Sequence, residues 1–318
     1  MPGFITHYIC GQAILNTVSP DAKNTIQQHQ QLYNIGTQGP DIFFYYIPGL
    51  LKKRSRDIGT QMHKHHFGAF IGHMIDSLIA SPESERPALM AYISGFLTHY
   101  ALDASAHPYV YSKTGVRQKG DTAKAIKYSV NHRKFETAID VLMLDLMSSK
   151  QPSDYKLWEL INVEEAPAQI ASDAMSAAIH ASHQRYISPK EVYRAMVYMI
   201  NITWVIQSRK GRRKRFMELI ENLTIGEALL TSIVHMQEVT SGVDYMNIAH
   251  SPWGLPGTEA RTESFVELYG NAVSNGAQMI DSLWGYIQGN ITKEGLMLAI
   301  GDRSLSTGFA PDESVLVG

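Results

Sequence analysis

The sequence has little of what would cross-link a chain or anchor it in a membrane. Cys10 is the only cysteine among 318 residues, so the chain cannot form an internal disulfide. Any metal site must therefore be built from histidine and carboxylate side chains. No segment approaches the roughly 18 consecutive apolar residues of a membrane-spanning helix. The first residues lack the basic start and apolar stretch of a signal peptide, so we expect a cytoplasmic protein.

The overall charge does not indicate a class of partner. The chain has 28 basic and 30 acidic residues and a net charge of −2, which lacks the basic excess of a general nucleic-acid binder. With 44% hydrophobic and 18% charged residues, the composition is typical of a globular protein that buries a core. The basic run RKGRRKR, residues 209–215, is interpreted as a solvated loop. Contact with phospholipid headgroups or a nucleic-acid backbone is the alternative for this run.

Helical periodicity recurs along the chain, whereas alternating strand patterns are hard to find. Ser188, Pro189 and Glu191 predict a helix start, because serine can cap, proline suits the first helical position and glutamate completes a capping box. Apolar and small residues recur every three or four positions from Phe265 to Ile287, which predicts a long amphipathic helix. The chain is therefore predicted to be an all-α, multi-helix bundle.

A division of the chain is predicted at the segment SSKQPSDY, residues 148–155, which interrupts the helical pattern. It would separate an N-terminal region, residues 1–148, from a C-terminal helical region, residues 149–318, that packs on it. Histidine is unevenly distributed between the two, since nine of the 13 histidines lie between His7 and His132. We therefore expect the chemistry to lie in the N-terminal region.

Two histidine–carboxylate pairs have members four residues apart, His99 with Asp103 and His132 with Glu136. On a helix this spacing places both side chains on one face, where they can share a metal ion. Chance supplies roughly one such pair in a chain of this composition. A solvated helix face is therefore the alternative for either pair taken by itself.

Two further side chains continue these patterns. His107 follows Asp103 by four residues, but Pro108 disfavours helical geometry at the residue before it. We therefore expect the helix to end near His107, from where its side chain could reach a neighbouring ion. Asp140 continues the stripe of Glu136, and it is either an outer partner that orients a ligating histidine or an ordinary helix-face aspartate.

The order of the histidine and aspartate motifs along the chain resembles that of the zinc-dependent phospholipase C family, with a wider kinship to single-strand nucleases of the P1 type. The motifs lie within residues 1–145, and after that only the Trp253 loop and the long helix that follows are similar. They are ITHY with His7, GPDIFFY with Asp41, QMHKHH with His63, then HYALD, HPY and NHRKFE.

This resemblance implies a cluster of two or three zinc ions in the N-terminal region. The residues around the first ion would be Asp41, His63, His99 and Asp103. Those around the second would be His107, His132 and Glu136. Asp103 would also bridge towards a third ion, to which His7 contributes. Secreted members of the family cap the third ion with a terminal tryptophan, whereas this chain begins Met1-Pro2.

The resemblance further implies hydrolysis of a phosphodiester by a zinc-activated water, with Asp41 as the carboxylate that orients or deprotonates the water. For a phospholipid the products would be a diacylglycerol and a phosphorylated headgroup, and the enzyme would contact the membrane surface peripherally. We expect Trp253 and the aromatic residues 43–46 at the rim of the cleft. A nuclease with the same ions and a non-catalytic, zinc-stabilised helical protein are the two alternatives.

Several individual residues have a simpler explanation beside the functional one. Asp41 could be a helix N-cap, and His7 a hydrogen-bonded interior histidine. Periodicity alone does not choose among the histidines of MHKHHFGAFIGH, and only the resemblance selects His63. Solvated or outer positions are expected for His65 and His66, and a packing or outer position for His73.

Overall fold

The structure is a computed structural model that describes residues 3–46, 51–115, 122–149, 156–206, 239 and 242–310. Within these ranges the regular secondary structure is helical, and an isolated antiparallel bridge between Trp253 and Arg261 is the only strand-like pairing. The prediction of an all-α protein is thus confirmed. No helix in the described ranges is both long enough and apolar enough to cross a membrane.

The described residues form twelve α-helices and one 3-10 helix. The 3-10 helix spans Gly39–Phe44 and lies between the third and fourth α-helices. Numbered α1 to α12 in chain order, the α-helices are Phe4–Thr17, Pro20–Gln27, Gln30–Gly36, Leu51–Lys64, Phe67–Ala80, Arg86–Thr114, Thr122–Ser148, Leu157–Leu160, Glu165–His183, Pro189–Ile206, Phe265–Ile287 and Lys293–Ile300.

Helix α6 is the centre of the bundle. It packs against α1, α2, α3, α5, α7, α9 and α11, and 22 of its 29 residues are buried. Its sequence explains this position, because apolar and small side chains occur all round the helix and leave no polar face for solvent. Polar groups on α6 must consequently find partners inside the protein.

Two glycines set the distance between α3 and α6. Gly36 lies at the end of α3 and Gly95 in α6, and the two backbones are in direct contact there. A Cβ atom at Gly95 would clash with the carbonyl oxygen of Tyr33, and one at Gly36 with that of Tyr92. The close crossing brings the chain that follows α3 against the middle of α6.

The structure confirms two helix predictions made from the sequence, one of a helix start and one of a long helix. The Ser188 hydroxyl accepts from the Glu191 backbone N–H at 3.3 Å, and the Glu191 carboxylate accepts from the Ser188 backbone N–H at 2.7 Å, so the predicted capping box is confirmed. The predicted long amphipathic helix is confirmed as α11, which begins after a second capping box made by Ser264 and Glu267.

The expectation that α6 ends near His107 is wrong, because the helix continues through Pro108 to Thr114. Proline cannot donate to the carbonyl four residues earlier, so the Ala104 oxygen loses its helical donor. The helix nevertheless continues, since Tyr109 and Val110 beyond the proline are completely buried. Their packing outweighs the local preference against helix at the residue before proline.

Helices from both predicted regions share one hydrophobic core. Helices α9 and α11 come from the C-terminal region, and both pack against α6, while α11 also packs against α1. The division into residues 1–148 and 149–318 stays a prediction. Residues 150–155 of the predicted boundary lie outside the described residues.

Candidate metal centre

Three ligand-type side chains lie on one face of α6. His99, Asp103 and His107 follow one another at four-residue intervals, which the helical period places in line. Each is at most 2% exposed, although imidazole and carboxylate groups are costly to bury without partners. The remaining candidate ligands come from α1, α4, α7 and the 3-10 helix.

The Asp103 carboxylate lies among four histidines. Its Oδ1 is 3.3 Å from Nε2 of His7 in α1. Its Oδ2 is 3.1 Å from Nε2 of His99, 3.6 Å from Nε2 of His63 and 3.6 Å from Nδ1 of His107. One carboxylate therefore contacts side chains from three different helices.

Asp41 joins this arrangement from the 3-10 helix. Its Oδ1 is 3.2 Å from Nε2 of His63, which lies in the last turn of α4. The N-cap position of the 3-10 helix belongs to Gln38, so Asp41 lies inside the first turn and is not an N-cap. Asp103 and four neighbouring residues are called the inner group: His7, Asp41, His63, His99 and Asp103.

A second set, the outer trio, consists of His107, His132 and Glu136. Nε2 of His132 and Oε1 of Glu136 are 2.8 Å apart, at the predicted four-residue spacing on α7. Nδ1 of His132 is 2.9 Å from the Thr114 hydroxyl and 3.3 Å from the Tyr128 hydroxyl. The His107 and His132 rings stack with centroids 6.0 Å apart, which joins α6 and α7.

Main-chain carbonyls fix the orientation of three of the histidines. Nδ1 of His63 is 2.7 Å from the Gly59 oxygen, and Nδ1 of His99 is 3.1 Å from the Thr37 oxygen. Nδ1 of His107 is 2.6 Å from the Leu305 oxygen. A carbonyl can only accept, so Nδ1 must carry the proton in each ring. In the neutral ring Nε2 then keeps a lone pair for a metal ion.

The unsatisfied atoms of the site fit a metal ion. A buried polar atom without a partner costs about 1–3 kcal/mol, so such atoms are rare unless something binds them. Imidazole nitrogen and carboxylate oxygen are the donors that zinc takes in proteins without cysteine ligands. Within the part of the chain that the structure describes, the buried ligand atoms without a hydrogen bond are Nδ1 and Nε2 of His7, Oδ1 of Asp41, Nε2 of His63, His99 and His107, and both carboxylate oxygens of Asp103.

Three combinations of these residues bring ligand atoms close enough for one ion. In each, one atom per residue lies within 4.8 Å of the others. The third combination contains the same residues as the predicted second zinc site, and the second contains three of the four predicted around the first ion. The combinations are His7 with Asp41 and His99, His63 with His99 and Asp103, and His107 with His132 and Glu136.

The electrostatics hold the carboxylates of Asp103 and Glu136 in their ligating, ionised form. Burial by itself would raise the pKa of Asp103, but the neighbouring His107 and His99 outweigh it and hold this pKa well below its usual range. Burial also opposes ionisation of Glu136, and His132 overcomes it, which lowers the pKa of Glu136 to about 2. Both side chains can therefore offer charged oxygens to a cation.

Burial also keeps most of the histidines neutral, as metal binding requires. It lowers the pKa of His7, and His99 adds to the effect. It lowers the pKa of His107 well below the ordinary histidine value, and it lowers that of His132 despite Glu136. For His99 the burial effect is outweighed by Asp103, so its pKa is raised.

Asp140 acts on the site through the start of α1. Its carboxylate accepts from the backbone N–H groups of Ile5 and Thr6 at 3.0 and 2.9 Å and from the Thr6 hydroxyl at 2.5 Å. These bonds satisfy amides of the first helical turn, which have no partner within a helix. They join α7 to α1 directly beside His7, so Asp140 positions that histidine through the main chain.

The aromatic residues expected at a rim occupy several environments. Phe43 and Tyr46 are buried, whereas Phe44 and Tyr45 are half-buried, and the Phe44 ring lies 5.5 Å from the His63 ring. Trp253 packs in the core and not at a rim. It is 5% exposed, contacts the Tyr109 ring edge-on at 5.3 Å, and donates to a backbone carbonyl.

Several other histidines of the described residues lie outside the two groups. His65, His66 and His180 are exposed, and His73 lies half-exposed, 4.0 Å from Asp76. His183 contacts the His65 carbonyl at 3.0 Å. Met1, Pro2 and the basic run 209–215 lie outside the described residues.

The contact of the Leu305 carbonyl with His107 was not found from the sequence. A main-chain oxygen carries no side-chain signature, and Leu305 lies 198 positions after His107. Only the positive φ of Gly308, 72°, marks the neighbouring turn, and a glycine alone does not indicate what the turn contacts.

The comparison with protein families agrees with this geometry. The family described as zinc dependent phospholipase C matches residues 6–191, which is more than half of the chain. This span contains all eight residues of the inner group and the outer trio, and it ends before the loop around Trp253. No curated protein and no solved structure matches the chain at a significant level. The chain belongs to the zinc-dependent phospholipase C family.

Proposed function

We propose that the protein is a zinc-dependent phosphodiester hydrolase of the phospholipase C type. The observation that carries the proposal is the convergence of unsatisfied imidazole nitrogens and carboxylate oxygens on Asp103, inside a protein whose family is zinc-dependent. Structural zinc sites fill their positions with side chains, whereas catalytic sites keep a position open for water. A carboxylate surrounded by four histidines supports shared ligation.

The two groups would hold zinc as the family resemblance implies. Asp41, His63, His99 and Asp103 would hold one ion, the outer trio a second, and His7 with Asp103 a third. The grouping of His7 with Asp41 and His99 is the other arrangement that the distances support. Zinc, when bound, acts as a Lewis acid on phosphate oxygens and lowers the pKa of water. The hydrogen bonds at Nδ1 of His63, His99 and His107 leave Nε2 of each neutral ring available to bind zinc.

Asp41 is the residue we assign to proton transfer. Its side chain is 10% exposed, whereas that of Asp103 is 0% exposed and enclosed by histidines. A base must reach both water and the reacting phosphorus, so the more accessible carboxylate suits the task. Asp41 would accept the proton of the attacking water and orient it in line with the leaving oxygen. Nε2 of His63 lies 3.2 Å from Oδ1 of Asp41, so one ion could contact both atoms.

The substrate we propose is the headgroup phosphodiester of a phospholipid, reached by peripheral contact with a lipid surface. The description of the family supports it. The half-buried rings of Phe44 and Tyr45, close to Asp41 in sequence, would offer apolar contact beside the site. The products would be a diacylglycerol and a phosphorylated headgroup.

The test uses the zinc-loaded protein on three substrates: phosphatidylcholine in mixed micelles, bis(p-nitrophenyl) phosphate and single-stranded DNA. We expect hydrolysis of the lipid and of the generic diester, loss of both with a chelator, and recovery on adding zinc. Asp41→Asn should lower kcat by roughly 100-fold or more, which is the usual loss for a general base. Cleavage of DNA alone would favour a nuclease. No turnover of any ester by a fully loaded protein would favour a non-catalytic zinc protein.

A further inference from the structure

The last described segment of the chain lies against the metal centre. Residues 301–309, called here the C-terminal strap, follow α12 and lie far beyond residue 191, where the family match ends. The strap contacts α6 and the end of α4, which carry ligands of both groups. Its Leu305 side chain is completely buried in the shared core, so the contact is part of the packed structure.

The strap sets the ring orientation of one candidate ligand. The Leu305 carbonyl accepts from Nδ1 of His107 at 2.6 Å, the shortest of the three Nδ1 contacts with carbonyls. Without that acceptor the neutral ring could carry its proton on Nε2, and the ligating lone pair would be lost. The partner of a ligating nitrogen usually decides the tautomer in this way.

The strap also holds the main chain of a second candidate ligand. The His63 carbonyl accepts from the Ser306 backbone N–H at 3.1 Å and from the Ser304 hydroxyl at 3.1 Å. His63 lies in the last turn of α4, where helix carbonyls have no donor within the helix. The strap supplies those donors, so it ties an inner ligand to the segment that orients an outer one.

Ser304 organises the strap. Its hydroxyl accepts from the backbone N–H groups of Ser306 and Thr307 at 3.2 and 3.3 Å while it donates to His63. Its own backbone N–H and carbonyl bond to Phe309 and Gly308 at 2.9 and 2.8 Å. These five contacts close the turn that presents the Leu305 carbonyl.

The proline in α6 makes room for this docking. Pro108 leaves the Ala104 carbonyl without its helical donor, and Gly308 lies against that oxygen with a φ of 72°. Any side chain at Gly308 would clash with the Ala104 oxygen, and the positive φ would add strain. The Tyr100 hydroxyl accepts from the Arg303 backbone N–H at 3.0 Å, which fixes the other end of the strap on α6.

We infer that the C-terminal strap is a positioning element of the zinc centre, which couples the inner group to the outer trio through Ser304 and the Leu305 carbonyl. The inference rests on the proposed ligation of zinc by His63 and His107. Its consequence is that zinc affinity depends on residues outside the part of the chain that matches the family. The strap contacts no zinc itself and acts through the two histidines.

The test compares zinc binding by the full chain and by Ser304→Ala, with Ser304→Thr as the conservative variant. Zinc content is measured by mass spectrometry over a series of buffered free zinc concentrations. We expect Ser304→Ala to bind zinc roughly 10- to 100-fold more weakly, as is usual when a partner of a ligand is lost. Ser304→Thr keeps the hydroxyl and should recover most of the affinity. Visible spectra of the cobalt-substituted proteins should change in the alanine variant and return in the threonine variant.

Thr292→Ala is the matched control. It removes another hydroxyl of the C-terminal region, one that caps α12 by accepting from the Gly295 backbone N–H, away from the metal centre. We expect it to lower thermal stability slightly and to leave zinc affinity unchanged. Gly308→Ala is a second variant that displaces the strap from α6 and should weaken zinc binding as Ser304→Ala does.

The outcomes separate this inference from the proposed function. If the unmodified chain binds no zinc, the proposed function fails first. If it binds zinc and Ser304→Ala has the same isotherm and cobalt spectrum, the positioning role is overturned. An equal loss of affinity in Thr292→Ala would also overturn it, because the loss would then reflect general destabilisation. If Gly308→Ala does not fold, the two Ser304 variants still decide the matter.

Discussion

The inner group and the outer trio differ in how far the protein itself satisfies their polar atoms. In the inner group, seven buried ligand atoms form no hydrogen bonds among the described residues, although the Asp103 oxygens lie 3.1–3.6 Å from histidine nitrogens. In the outer trio, His132 pairs with Glu136 at 2.8 Å and contacts two hydroxyls, and Nε2 of His107 is the one buried ligand atom without a hydrogen bond among the described residues.

This difference indicates which part of the centre depends on a bound cation for its stability. A buried atom without a partner costs about 1–3 kcal/mol, so the inner group is strongly destabilising until an ion binds it. The outer trio is closer to self-sufficient and should tolerate an empty site. Metal binding to the inner group is therefore expected to be coupled to folding, and binding to the outer trio much less so.

The largest effect is expected at Asp103, the carboxylate that the inner histidines share. Asp103→Asn removes the charge, and we expect loss of at least one zinc per chain and destabilisation by about 3–5 kcal/mol, as when one partner of a buried ionic set is removed. Zinc content and urea denaturation measure the two effects. Asp173→Asn, at an exposed position on α9, is the matched control. His7→Ala should cost less zinc than Asp103→Asn, and the reverse order would contradict a shared role.

Removal of zinc should come next in size and should occur in two stages. Saturating zinc at 100 times its dissociation constant stabilises a folded protein by about 2.7 kcal/mol per site. We expect the first zinc removed by a graded chelator to come from the outer trio with little change in Tm, and the last to lower Tm strongly. A single step in both zinc content and Tm would show that the two groups are not distinct.

His132→Ala isolates the outer trio. It removes one of three candidate ligands whose atoms lie within 4.8 Å of one another, so we expect measurable loss of zinc with only a small loss of stability. His180→Ala, at an exposed position on α9, should leave zinc content and hydrolysis unchanged. Metal analysis and thermal melting of the two variants make the comparison. Equal zinc content in both would mean that His132 is not a ligand.

Asp140→Asn tests whether the inner group also depends on the hydrogen bonds that Asp140 accepts from the start of α1. The amide can replace part of the acceptor pattern at Ile5 and Thr6, so we expect a loss of about 1–2 kcal/mol, as for other helix caps. Zinc affinity should fall with it, because His7 follows directly on the same turn. Asp145→Asn, exposed on the same helix α7, is the control. Unchanged melting in Asp140→Asn would remove its assigned role.

The smallest expected effect is the pH dependence of the zinc-free protein. Burial lowers the pKa of His7, His107 and His132, so below about pH 6.5 the unfolded chain binds more protons than the folded one. The free energy of unfolding should therefore fall as pH drops through that value. The raised pKa of His99 acts in the opposite direction, since its contribution is present in acid and lost as pH rises. Urea titrations with a chelator at pH 7.5 and 5.5 measure the net change, and greater stability at pH 5.5 would contradict it.

Much of the fold and site follows from spacing along helices. The four-residue intervals at His99 and His132 place their carboxylate neighbours on the same face whatever else the helix touches. The choice of His63 over His65 came from motif order, and burial agrees with it, since His63 is buried and His65 exposed. The periodic pattern from Phe265 was sufficient for α11 because its apolar stripe is long and regular.

What the sequence could not predict depends on tertiary contacts. Pro108 argued for a helix end, but packing on every side carries α6 past it. Trp253 was expected at the rim of the cleft, whereas it is 5% exposed and packs edge-on against Tyr109 in the core. The Leu305 carbonyl acts on a helix distant in sequence, and no local pattern predicts such a partner. The helical stripe of Glu136 made Asp140 a candidate outer partner, but it could not predict the bonds of Asp140 to Ile5 and Thr6.

Because α3 and α6 cross so closely, a small change in their separation would disturb the candidate metal centre. The Thr37 carbonyl that orients His99 lies one residue beyond Gly36, and its distance to Nδ1 is 3.1 Å. A hydrogen bond is lost once this separation grows by roughly half an ångström. A single methyl group on Gly95 would press on the Tyr33 carbonyl and move α3 outwards by a comparable amount. The spacing between these two helices therefore controls whether His99 keeps the hydrogen bond that orients its ring.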